Sequence, residues 1–259
     1  MNPAGALALK LVLTPALVGA ASLAGRRWGS AVGGWLIGIP FTSGPIVFFL
    51  ALDPGPDFAA RAAAGVMAGA ISQAAFCVAY AWAAQGSGWA TSLVAAAAGF
   101  AAVTLVLNAT QLPVQGFFIV IILVIVVSLF LMPQPAPSAI EPVPFPAWDL
   151  PARMLVATVF VVVLTTIAPL LGARLAGLLA PFPLYGSVLA AFAHRLQGSG
   201  PATGVVRGLL LGLFAFSSFF LVLALLLPRG VALAFACAVI VAVVVHGASL
   251  VVGRRLSLA

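Results

Sequence analysis

Charge is scarce in this sequence, and negative charge most of all. Only four carboxylates occur in 259 residues (Asp53, Asp57, Glu141 and Asp149), and charged residues of both signs make up 6% of the chain. A soluble globular domain carries about 25%, so these residues cannot supply a water-facing surface for a fold of this size. Cysteine is nearly missing too. Cys77 and Cys237 each lie inside an apolar run, with no CxxC and no Cys/His cluster, which argues against a zinc site and reads as two small buried apolar residues. No HExxH run, no Ser/His/Asp set and no pair of acids inside an apolar run is present, so the sequence is not that of an enzyme, and neither metal nor cofactor is expected. Nucleic acid is excluded as a partner on similar grounds. The eleven Lys and Arg residues behind the net charge of +7 stand singly or in pairs at the ends of apolar runs, not in a solvated patch. That placement suits topology setting and contact with lipid headgroups.

What fills the sequence instead is hydrocarbon: 64% of residues are hydrophobic. They fall into runs of roughly span length, about 20 residues each, divided by short Gly, Pro, Arg or Asp breaks. The runs predict helices over 6–24, 31–52, 59–83, 89–107, 115–132, 153–171, 175–193, 202–227 and 231–251. They are apolar on all faces, which fits helices and not the alternating strands of a barrel. The first run is followed by Arg26, Arg27 and Trp28 rather than a small-residue cleavage site, so it reads as a retained span. Between the fifth and sixth runs, residues 132–151 hold seven prolines with Glu141, Trp148 and Asp149, predicting an extended linker outside the hydrocarbon, with Trp148 at the interface.

The two halves of the chain resemble one another. The second run of the first half contains Gly38-Ile39-Pro40-Phe41-Thr42-Ser43-Gly44-Pro45, and its counterpart contains Leu179-Ala180-Pro181-Phe182-Pro183-Leu184-Tyr185-Gly186. Each third run starts with a basic residue (Arg61, Arg207) and carries a polar pair further in (Ser72-Gln73, Ser217-Ser218). Each first run opens with a cation and then a threonine: Lys10 and Thr14, Arg153 and Thr158. A fifth run intervenes, so an odd number of spans separates equivalent helices and the second unit must face the opposite way. The expected fold is an all-α integral membrane protein of about nine transmembrane helices, an inverted-topology repeat of two four-helix units joined by one extra helix. Its parts are a first repeat (1–110), a linker helix with the Pro-rich loop (111–151) and a second repeat (152–259). Counting cations by side sets Lys10, Arg61, Arg174 and Arg229 against Arg26, Arg27, Arg153, Arg195, Arg207, Arg254 and Arg255, which predicts the second group on the cytoplasmic side.

The segment from Ala176-Gly177-Leu178 to Phe182-Pro183-Leu184-Tyr185, with His194 further on, resembles the GlpM-type small inner-membrane proteins, four-helix proteins of about half this length. Trp35-Leu36-Ile37-Gly38-Ile39-Pro40-Phe41 keeps the Pro-Phe step but not the Phe-Pro order. The resemblance implies a tandem fusion of two such units and a multi-pass protein of the bacterial inner (plasma) membrane. The family is associated with bacterial exopolysaccharide (alginate) production and has no defined activity to carry over.

Proline inside a membrane helix releases backbone groups that must face protein or a water-filled cavity. Matched breaks in inverted halves therefore point to a central substrate site built from Pro40, Phe41, Thr42, Ser43, Gly44, Pro181, Phe182, Pro183, Tyr185 and Ser187. Plain kinking for packing is the competing reading. Gln73, with its neighbouring serines, would line a polar path or act as interhelical glue. His246, inside the last run, is the deepest titratable side chain and so a functional candidate, or, about two turns from Arg254, a neutral hydrogen-bonded histidine near the interface. Arg61 and Arg207 are expected to snorkel from their first turns, and His194 to sit at the interface. The function expected is a transporter or translocase of a small or lipid-linked substrate, with membrane lipids as partners. The alternative is a non-catalytic accessory subunit of an envelope or exopolysaccharide assembly, docking through the Pro-rich segment to an envelope-complex partner; a homodimer is also compatible.

Overall fold

The computed structural model describes residues 3–28, 40, 42–134 and 148–255. Among them every regular element is helical. In chain order these are α1 (Pro3–Trp28), α2 (Ser43–Leu52), α3 (Pro56–Ala83), α4 (Trp89–Ala109), α5 (Val114–Leu131), α6 (Asp149–Leu179), α7 (Leu184–Gln197), α8 (Ser199–Leu226), a 3₁₀ turn (Leu227–Arg229) and α9 (Val231–Arg255). Six of them, α3, α4, α5, α6, α8 and α9, are long and apolar enough to cross a membrane. Residues 31–39 and Phe41 of the expected second helix, and 135–147 of the Pro-rich segment, lie outside the described residues.

Burial divides the six into two classes. The apolar windows of α3 and α8 are 72% and 67% buried, against 17–28% for the other four. The central pair makes the most extensive helix–helix contact, and α5 lies against both of its members. Large side chains on the outer helices, such as Leu105, Phe130 and Leu170, point outward. In water such a surface would drive aggregation, whereas lipid solvates it.

The core helices approach closely because their contact faces are small. α3 carries Gly65 and Gly69 one turn apart, the spacing that lets membrane helices pack backbone to backbone. A Cβ on Gly65 would sit 2.8 Å from the carbonyl oxygen of Arg174, and one on Gly69 2.5 Å from the Pro181 ring. Gly177, facing them, has no room either: a Cβ there would collide with the carbonyl oxygen of Ala62.

The expected sixth and seventh helices, 153–171 and 175–193, meet in the structure at a kink between 171 and 175, but their outer bounds differ. α6 begins earlier, at Asp149, and takes Pro151 into its first turn, where the missing N–H costs nothing. It then runs on to Leu179, through a kink at Gly172 (φ 77, ψ 157) that only glycine adopts readily. Pro169 upstream has already removed one ladder hydrogen bond. After Leu179 the helix stops, residues 180–183 form a break, and α7 restarts at Leu184. With 14 residues, α7 is about 21 Å long, too short to cross roughly 30 Å of hydrocarbon by itself.

Four contacts fix which helix ends lie together. Trp82, at the end of α3, donates its indole N–H to the carbonyl of Leu131 at the end of α5 (3.1 Å). Arg174, just past the kink, donates to the carbonyl of Leu107 in the last turn of α4 (2.7 Å), the end where a cation meets the negative pole of the helix. Trp148, leading into α6, packs against Phe192 in the later turns of α7, ring centroids 5.3 Å apart. Pro181 lies against Gly69, halfway along α3.

Candidate functional site

The two Pro/Gly breaks meet. Ser43, the first residue of α2, donates its hydroxyl to the carbonyl of Ala180 at the end of the α6 segment, 2.8 Å across 137 positions of sequence. Both groups are buried. The break after α6 leaves carbonyls without ladder partners, and a serine from the other break satisfies one of them.

Beyond this contact the breaks differ. On the Pro181 side the space is filled. Pro181 is buried against Gly69, and the Phe182 ring stands edge-on between Phe76 (6.1 Å) and Phe100 (5.2 Å). Pro183 caps α7, accepting the Ser187 hydroxyl at 2.7 Å, while Tyr185 is half-buried. On the Pro40 side there is a cavity of about 320 Å³. Pro40, Gly44, Pro45 and Phe48 form one wall. α1 adds Leu13 and Leu17, and α8 adds Ala215 and Phe219. α9 closes the remaining side with Phe235, Val239, Ala242, Val243 and His246. The wall is thus drawn from both halves of the chain. Among the described residues that line it, the only ionisable side chain is His246, itself 4% exposed.

Of the residues expected at the site, Pro40, Gly44 and His246 line this cavity and Ser43 joins the two breaks. Thr42 precedes α2, its carbonyl accepting the Ile46 N–H, and Phe41 lies outside the described residues. Pro181, Phe182, Pro183 and Ser187 serve packing and capping, not the cavity wall. Gln73 is buried on α3, its side-chain oxygen without a hydrogen-bond partner among the described residues. Ser72 accepts the Thr104 hydroxyl at 2.9 Å and so ties α3 to α4, while Ser218 bonds back to Phe214 within its own helix.

One expectation about cations differs from what is found. Arg61 is exposed, as snorkelling requires, but Arg207 is buried. Lys10 is buried as well, its ammonium 5.5 Å from the Phe49 ring centre, with Asp53 near enough to act on it electrostatically. His194 pairs with Tyr80 across 3.4 Å, holding the later turns of α7 against the end of α3. Sequence reasoning passed over the cavity-lining aliphatic and aromatic residues, because an apolar side chain facing a cavity reads like one facing lipid. The one available signal was Lys10, a cation inside an apolar run one turn before Leu13. Among the described residues no three His, Cys, Asp or Glu side chains gather as a metal site. Comparison with protein-family models, characterised proteins and solved structures finds no match.

Proposed function

We propose that the chain is a membrane transporter or translocase in which two inverted units of four spans share a site beside the Pro40 break. The contacts between helix ends support the topology. With α3 ending beside the end of α5, Arg174 beside the end of α4, and Trp148 beside α7, successive helices run alternately across one layer. Residues 173–179 and α7 then act as one discontinuous span, broken level with the midpoint of α3. α2 starts at that level, joined to it through Ser43. With residues 173–197 counted as one crossing, we keep the reading of nine spans in two units that run in opposite directions. Discontinuous helices meeting at the midplane are the usual setting of a transport site.

The observation that carries the functional reading is the cavity itself: it abuts Pro40 and the start of α2 and takes its walls from both halves of the chain. Its size falls at the lower end of the range for small-molecule sites. The GlpM-type resemblance adds a bacterial inner-membrane setting. To test the reading, purified protein is reconstituted into vesicles containing a headgroup-labelled fluorescent lipid or loaded with small polar solutes. Wild-type vesicles should expose inner-leaflet lipid to a membrane-impermeant bleach, or release a solute, faster than protein-free vesicles. Equal rates across lipids and solutes would overturn the proposal.

A further inference from the structure

We infer that the cavity holds one hydrocarbon chain of an anionic phospholipid, with the lipid's phosphate at Lys10. The inference rests on the translocation reading for its purpose, but the binding site stands on its own observations. The first is access. Val239 and Val243 both line the cavity and are both more than half exposed, so the slot opens sideways onto the surface that lipid covers. The second is shape. On α9 the lining runs from Phe235 to His246, about 16 Å along the helix axis, close to the depth of one leaflet. His246 is the lining residue of α9 farthest along the helix from Phe235. An extended chain entering from one face fills such a slot, whose walls are apolar apart from His246.

The third observation is charge. Lys10 lies one turn before Leu13, beside Phe49 and so toward the end of the cavity where Phe48 packs on Phe235 at 5.5 Å. Its ammonium faces the Phe49 ring, whose centre is 5.7 Å from that of Phe48, a cavity residue. A phosphate there would meet a buried cation and would compete with Asp53 for it, while its acyl chain passes Phe48 and Phe219 toward His246. Apolar lining alone would accept any lipid; Lys10 adds the preference for a negative headgroup.

The experiment is native mass spectrometry of the full chain, released from detergent after incubation with phosphatidylglycerol, phosphatidylcholine or inorganic phosphate alone. Wild type should retain one tightly held phosphatidylglycerol and favour it over phosphatidylcholine by roughly fivefold, the weight of one cation near a lipid surface. Inorganic phosphate should neither be retained nor displace the lipid. Ala242→Phe, which fills the slot, should weaken retention by tenfold or more, since excluding even two methylenes costs roughly that much. Ala215→Phe fills it from α8 and guards against a folding defect in the first variant. Lys10→Gln should abolish the headgroup preference while keeping a lipid bound. Unchanged retention in both filled variants, an unchanged preference in Lys10→Gln, or displacement by phosphate would overturn the inference. The assay reads occupancy and not flux. Retained lipid without transport removes the translocation reading and leaves the site; transport without retained lipid does the reverse.

Discussion

At the scale of single residues, the most consequential atoms are the ones left out. Gly65, Gly69 and Gly177 let the backbone of α3 and the segment after Gly172 touch, so that Pro181 can reach the middle of α3. Gly177→Ala should therefore destabilise the protein by about 1–3 kcal/mol, the usual cost of overpacking a tight contact. Gly204→Ala is the matched control: nothing lies within 4 Å of a Cβ there, and alanine is the better helix former. Denaturant titration in mixed micelles should show Gly177→Ala unfolding first and Gly204→Ala at or beyond wild type; the same midpoint for both would remove the steric argument. Pro40 and Pro181 were legible in the sequence as breaks because proline's effect on a helix is local. That one borders a cavity and the other is sealed by Phe76, Phe100 and Phe182 was not legible, because it depends on which distant rings fill the gap.

At the scale of elements, the hydrophobic runs located the long helices to within a few residues, as with α4 at Trp89–Ala109 and α5 at Val114–Leu131. After Asp149 they placed the boundary between the sixth and seventh runs at 171–175, where the structure has its kink at Gly172, and the Pro181 segment where the helix breaks at 180–183. What they missed is the early start at Asp149 and the form of the boundary: a positive-φ glycine turns the chain there without a polar loop. Gly172 sits at φ 77, ψ 157, a region that an L-residue enters only at a cost of about 1–3 kcal/mol. A Cβ there has open space around it, so the penalty of Gly172→Ala is conformational and not steric. The variant should lose about that much stability, and amide exchange should rise around the bond from Arg174 to Leu107, because straightening the kink pulls the guanidinium away from the end of α4. Faster exchange confined to distant helices would contradict this account of the turn.

At the scale of the whole molecule, the question is whether two similar units lie head to tail across one bilayer. The similarity of the halves was readable in residues: Pro-Phe in both breaks, Arg61 and Arg207, Ser72 and Ser217. Their opposite direction is inferred there from an odd number of intervening spans, an inference that hinges on α5 crossing and on residues 173–197 counting as one span, matters of length and contact and not of motif. The proposed arrangement makes a sharp demand on two equivalent loops. The turn after α3, which holds Gln85, and the turn after α8, which holds Arg229, join the third and fourth helices of their units, and both residues are exposed. In an inverted repeat they emerge on opposite faces. Gln85→Cys and Arg229→Cys, each placed in a background with Cys77 and Cys237 replaced by alanine, report this directly with a membrane-impermeant maleimide on intact cells. The count of basic residues predicts that position 229 labels from outside, and position 85 only after the membrane is opened. If both labelled from one side, the two units would run parallel, and the cavity could not lie on an axis relating them.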